Sequence, residues 1–437
     1  MNLAFRGSQA MLALNGNILH FLDDPVHDQS SSYRYVNDGY LLIVDGRVHG
    51  ISATRPDGDW NIVDCTGRLI LPGFIDIHTH YPQTDIIASY GEQLLTWLEK
   101  YTFPTEAGFG DPEVASDTAE FFIGELLRNG VTSAMVFATV HAGSVDALFE
   151  AAARRDMCML TGKVMMDRHA PEMLSDTAQS SYDDSLALIR KWHGRGRARY
   201  VVTPRFAVTS SHEQLTAAGE LFQNNPGVYL QSHVAENRAE VAWIAELFPA
   251  QRSYLDVYDV YRLLGERAVY AHCIYLDEQD RRRLAQSGTA AAFCPTSNLF
   301  LGSGLFDLSA ARQHGFHVGL GTDVGGGTSF GMLQTMSEGY KVAQLGEHRY
   351  SPLDAYYQAT LGGARALHLD QDIGSFKPGA FADVVVLDTK ATPLLERRMS
   401  RAESLEEVLF ALMMLGDDRC VEATYVRGQC VHRRAAM

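Results

Sequence analysis

The amino-acid sequence predicts an α/β protein: a (β/α)8 barrel over residues 71–370, joined to a small β-sandwich built from residues 1–70 and 371–437. Three observations predict it. Near-continuous apolar runs recur through the middle of the chain, as in parallel strands buried on both faces. The segments between these runs carry helical patterning, which spells alternating strand–helix units. The two chain ends share a different texture of short strands and tight turns.

Taken in order, LLIVDGRVHGIS sets Asp45-Gly46 between two apolar runs, a strong hairpin signal. Eight barrel runs follow: LILPGFIDIHTH, TSAMVFATVH, MLTGKVMMD, YVVTPRF, VYLQSHVAE, AVYAHCIYL, TAAAFCPTSN and HVGLGTDVGG. Between the first two, Asp111-Pro112 opens a helix as N-cap and N1 proline, and Gly130 closes it. Phe121, Phe122, Leu126 and Leu127 mark its apolar stripe. Near the C-terminus, FADVVVLD and ATYVRGQCVH read as strands, with a turn at Arg427-Gly428 and the helix AESLEEVLFALMML between them. The two ends are expected to pair into one small domain. No 20–50-residue repeat and no low-complexity tract interrupts this plan.

Composition narrows the function. The 437 residues, 46% hydrophobic and 21% charged, suffice for a large buried core. Lys and Arg number 37 against 53 Asp and Glu, a net charge of -16, with no basic run. Nucleic-acid backbones demand clustered cations, so a small uncharged substrate fits better. The six cysteines (65, 158, 273, 294, 420 and 430) form no C-x-x-C pair; they read as reduced thiols of a cytoplasmic protein. The N-terminus lacks a basic region followed by a long apolar run, and no stretch of about 18 apolar residues occurs. Neither a signal peptide nor a membrane span is expected.

Buried apolar strands should not end in ionisable residues without cause. Here His78 and His80 end the first run, Arg205 the fourth, His233 and Glu236 the fifth, His272 the sixth and Asp323 the eighth. The C-terminal face of such a barrel carries the active site, so these groups are expected to converge. His78-Thr79-His80 places two imidazoles on one side of a strand. Alone that pair is a weak signal, and two histidines so spaced are usually incidental. A lone His233 reads first as a core histidine, and Asp323 in GLGTDVGGG reads first as a turn or N-cap residue. Together, three His and one Asp suit catalytic zinc or a similar divalent ion with one open position. Glu236, three residues past His233, is the expected proton shuttle. His272 is expected beside the attacking oxygen rather than on the metal. His141, His169, His314 and His317 have no matching context and read as structural or exposed.

PGFIDIHTHYPQ, LLTWLEKYTFPTE, TPRF, SHVAEN, AHC, CPTSNLFLGSG and GLGTDVGGGTSFGML stand in the order and approximate spacing of the guanine deaminases of the amidohydrolase superfamily. The resemblance covers nearly the whole chain. It implies a single zinc on His78, His80, His233 and Asp323, Glu236 as acid and base, and His272 beside the hydrolytic water. It assigns Gln83, Arg205 and Phe206, with His233 and Glu236, to the purine, and implies a homodimer. No lysine ends the fourth run, where two-metal relatives carry a carboxylated one. The chemistry of the readers agrees. Arg205 offers a planar fork for guanine O6 and N7, and Phe206 offers a ring face or else packs in the core. Gln83 both donates and accepts. Trp97, Tyr101 and Phe103 close the pocket or simply pack on the barrel. Two rivals stay open: a related aminohydrolase acting on a triazine, adenosine derivative or pterin, and a non-catalytic assembly protein on the same fold. The H-x-E and P-C-x-x-C signature of the small cytidine-deaminase type is absent.

Overall fold

The computed structural model describes residues 11–435, so the reading of the first ten residues as carrying no leader lies outside it. The chain opens with β1 (Met11–Phe21), β2 (Tyr33–Val44), β3 (Arg47–Ser52) and β4 (Asn61–Pro72). Asp45 and Gly46 form the two-residue turn between β2 and β3, at φ 50° and 76°. That doubly positive pair suits the right-handed twist of a hairpin.

Gly73 then passes the chain directly from β4 into the barrel. Its strands are β5 (Phe74–His80), β6 (Val131–Phe137), β7 (Cys158–Gly162), β8 (Val164–Met165), β9 (Ala198–Pro204), β10 (Tyr229–Val234), β11 (Ala268–His272), β12 (Ala290–Phe293) and β13 (Val318–Leu320). Each pairs in parallel with the next, β7 and β8 both lying along β9. The eight predicted runs thus give the eight staves of a TIM-like barrel. The third run, expected as one strand, is broken at Lys163, between β7 and β8. A Cβ on the preceding Gly162 would lie 1.7 Å from the Val201 carbonyl oxygen, so only glycine permits so close an approach.

The ring closes between β13 and β5. The Asp76 carboxylate accepts the backbone N–H of His78 at 3.2 Å, the N–H of Thr322 at 3.1 Å and the Thr322 hydroxyl. The N–H of Asp323 donates to the His78 carbonyl at 2.9 Å, and that of His80 to Val324 at 3.1 Å. Burial pushes the Asp76 carboxyl up to about 7, with these donors opposing the rise.

The C-terminal segment returns as β14 (Val384–Leu387), β15 (Val421–Val426) and β16 (Gln429–Arg433). β14 lies antiparallel on β4, so the terminal segments meet as expected of the small β domain. They share one seven-stranded sheet, in the order β16-β15-β14-β4-β1-β2-β3. Arg197, just before β9, forms a buried ion pair with Asp383, just before β14, and this ties sheet to barrel. Around the barrel, the helix Pro112–Arg128 is capped by Asp111, whose side chain accepts the Glu113 N–H at 2.9 Å. It buries Phe122, Ile123, Leu126 and Leu127. Phe121 is corrected here: at 100° per residue it falls off the buried stripe and stands 57% exposed. No helix among the described residues is long and apolar enough to cross a membrane. All six cysteines are free thiols.

Candidate active site

The strand ends meet at the C-terminal mouth of the barrel, and all the named polar groups there are buried or nearly so. One donor atom each from His78, His80, His233 and Asp323 lies within 4.8 Å of the other three. Their arrangement fits a cation. The Nδ1 of His233 lies 2.7 Å from the carbonyl of Arg205, so the proton sits on Nδ1 and the Nε2 lone pair faces inward. That Nε2 meets the Nε2 of His80 at 3.2 Å, a face-to-face approach of two ring nitrogens that a shared positive ion would satisfy. The buried Nε2 of His78 has no hydrogen-bond partner, although Asp323 Oδ1 lies 3.1 Å away. Burial holds the His80 imidazole down at about 3 and lowers His233 well below its usual range, which keeps both in the neutral form that binds metals. Burial alone would raise the Asp323 carboxyl. His78, followed by His80 and His272, outweighs it and holds the group ionised.

A second set, His272, Cys294 and Asp323, also converges. Burial raises the Cys294 thiol well above its usual range, so it offers a protonated sulfur where a ligand must be a thiolate. The first set is the better donor group. Lys163, in the middle of the third run, is buried and paired with Asp176 rather than with these groups.

Glu236 lies just before the helix Arg238–Leu247. Burial, and next the charge of Asp323, push its carboxyl up to about 8. Its Oε1 accepts the Ser303 hydroxyl at 2.9 Å, and its Oε2 lies 3.3 Å from His272 Nε2. The Nδ1 of His272 bonds Asn298 Oδ1 at 2.9 Å, which places the ring proton on Nδ1 and leaves Nε2 as an acceptor. Asp323 and His272 both hold left-handed backbone, at φ 51° and 71°, an unfavourable conformation for such residues that concentrates at functional sites.

A cavity opens beside these groups, lined by His80, Gln83, Arg205, Phe206, His233, Glu236, His272 and Asp323, with Leu94, Trp97, Leu98 and Leu301 as its apolar wall. Residues 69–431 match the amidohydrolase family. The chain belongs to the amidohydrolase family. Over 98% of its length it is 48% identical to the guanine deaminase of Escherichia coli strain K12, of which it covers 99%. The solved structure of E. coli guanine deaminase superposes with a TM-score of 0.94 at 49% identity, covering 97% of this chain and 100% of that one. A guanine deaminase from C. acetobutylicum, solved with guanine bound in its active site, superposes at TM-score 0.89 with 28% identity, covering 97% and 100%.

Every residue proposed for this amidohydrolase's metal, acid–base and substrate roles falls on the one cavity or the ligand set beside it. Of the aromatics left open, Trp97 lines the cavity and Phe103 lies under the Arg205 guanidinium, 5.6 Å from its carbon. Tyr101 is not on the wall. Nor are His141, His169, His314 and His317. Two buried carboxylates were missed. Glu240 accepts the backbone N–H groups of Glu236 and Asn237 at 2.9 and 3.1 Å and the Tyr254 hydroxyl at 2.7 Å. The signal was present, because Asn237-x-x-Glu240 is a capping-box pattern. Glu106 bonds both Gln83 and Arg205. It lies within the FPTE stretch, but nothing local marks it.

Proposed function

We propose that this amidohydrolase is a guanine deaminase, converting guanine and water to xanthine and ammonia with one zinc ion per chain. The reading is carried by one juxtaposition: a three-histidine, one-aspartate donor set and a buried glutamate share a cavity with an arginine fork. Near-full-length identity of 48% to the E. coli guanine deaminase supports the substrate.

His78, His80, His233 and Asp323 would hold the cation, which when bound supplies the field that brings water's pKa toward about 7. The chain's own residues do the rest. Arg205 donates to guanine O6 and N7, Gln83 engages the N3 edge and Phe206 covers a ring face. These contacts aim C2 at the water. As the water oxygen bonds to C2, Glu236 takes one of its protons and delivers it to N3. A carboxyl held at about 8 titrates close to the working pH, so both its proton-accepting and its proton-donating forms are accessible for the two transfers. His272 Nε2 accepts from the incoming oxygen and fixes its direction. Asp323, held ionised, removes the remaining hydroxyl proton and passes it to the amine. The C2–N bond breaks, ammonia leaves with that proton and C2 keeps the new oxygen as xanthine's carbonyl. The same reading places the protein in the cytoplasm as a homodimer, to be checked by sedimentation.

The test is turnover by the purified, zinc-loaded chain, with xanthine followed by absorbance, ammonia by a coupled assay and zinc by elemental analysis. Equal xanthine and ammonia, one zinc per chain, and loss of turnover on chelation are expected. A zinc-loaded sample that leaves guanine intact while hydrolysing a triazine, adenosine derivative or pterin would overturn the reading.

A further inference from the structure

Glu106 takes no part in the chemistry described above, yet it is buried in the wall behind the substrate-binding groups. The short helix Phe103–Ala107 carries it there. Each of its oxygens has one partner. Oε1 accepts Gln83 Nε2 at 3.1 Å, and Oε2 accepts Arg205 Nη1 at 2.6 Å. All three side chains are buried. At the far end of its amide, Gln83 Oε1 faces the N–H of Gly325 at 3.4 Å. Phe103, three residues before Glu106, supports the guanidinium from below.

This geometry dictates what the two groups can offer a ligand. An amide has two distinguishable ends, and the carboxylate forces the nitrogen end of Gln83 toward itself. A guanidinium has five N–H groups and no acceptor. Its charge is neutralised by Glu106 without being withdrawn from the cavity, because one Nη is engaged and the rest of the fork is left to other partners. Without the carboxylate, a buried guanidinium would lack a counter-ion and would reorient or draw in water.

We propose that Glu106 is a positioning residue for substrate recognition: one carboxylate yokes Arg205 to Gln83 and, by engaging a single Nη, holds the remaining N–H groups of Arg205 toward the ring. It thereby selects purines with acceptors along the O6/N7 edge over rings that lack the 6-oxygen. This rests on the guanine deaminase reading.

The experiment measures kcat and KM for guanine, and the Ki of 2-aminopurine as a competitor, in the zinc-loaded parent, Glu106→Gln and Glu106→Asp. The Gln variant keeps the volume but can satisfy only one of the two donors. A charge-assisted hydrogen bond lost from a buried site corresponds to about 10- to 100-fold in binding. The KM for guanine should therefore rise by about that factor with kcat within about threefold, as expected for loss of uniform binding. The Ki of 2-aminopurine, which has no 6-oxygen, should move by less than about threefold. Glu106→Asp keeps the charge and should recover part of the KM; it also serves if the Gln variant does not fold. An unchanged KM, or KM and Ki rising by the same factor, overturns the proposal. Failure of the parent itself to turn over guanine overturns the functional reading instead.

Discussion

Glu236→Gln separates proton transfer from everything else the cavity does. The amide matches the carboxyl in volume and can still accept the Ser303 hydroxyl, which now lies 2.9 Å from Oε1. It replaces a group that is fully buried and therefore removes a desolvation cost rather than adding one. Stability should hold. Glu236 lies outside the donor set of His78, His80, His233 and Asp323, so zinc content should hold as well. What is lost is a carboxyl poised at about 8, close to the working pH where a shuttle is most effective. Positioned acid–base catalysis contributes about 10²- to 10⁴-fold, or about 3–5 kcal/mol of barrier. The expected result is a fall in kcat of that size, with one zinc per chain and little change in KM. Stopped-flow absorbance at saturating guanine, paired with elemental analysis, reads both. A metal-replete variant turning over within threefold of the parent would remove Glu236 from the mechanism.

Two further predictions concern stability. Arg197→Ala leaves Asp383 buried with only the Arg427 backbone N–H at 3.0 Å and should cost about 3–5 kcal/mol in urea unfolding; a loss below 1 kcal/mol would mean that the sheet does not depend on this tie. Burial, and next the charge of Arg34, hold the His20 imidazole down at about 4 from an ordinary 6.5, while its Nδ1 accepts the Phe376 N–H at 3.2 Å. The unfolded chain therefore takes up this proton first, and about 3 kcal/mol of stability drains away as pH falls from 6.5 to 4. His20→Asn, which keeps an acceptor without a titrating group, should flatten that part of the stability profile; parallel profiles for the two proteins would refute the assignment.

Much of this was legible in the sequence because the barrel repeats one physical problem eight times. A strand buried on both faces must be apolar until it reaches solvent or chemistry, so His78, His80, Arg205, His233, His272 and Asp323 stood out against their own runs. What local pattern could not supply was pairing across distance. Glu106 meets Arg205 across 99 positions, and nothing in FPTE distinguishes a buried, paired carboxylate from a solvated one. The break after Gly162 was hidden for the same reason, since the close approach there is to the Val201 backbone of a neighbouring strand. Phe121 failed differently: the helix was correctly placed, but its stripe was drawn one residue too wide.

Arg205 joins two functions through different atoms. Its main-chain oxygen orients the His233 ring, at 2.7 Å from Nδ1, while its side chain faces Glu106 and the cavity. A backbone carbonyl survives most substitutions at its own position. Substitutions at residue 205 that keep a cation for Glu106, such as Arg205→Lys, should therefore retune which heterocycle is accepted while the His233 imidazole keeps its tautomer and aim.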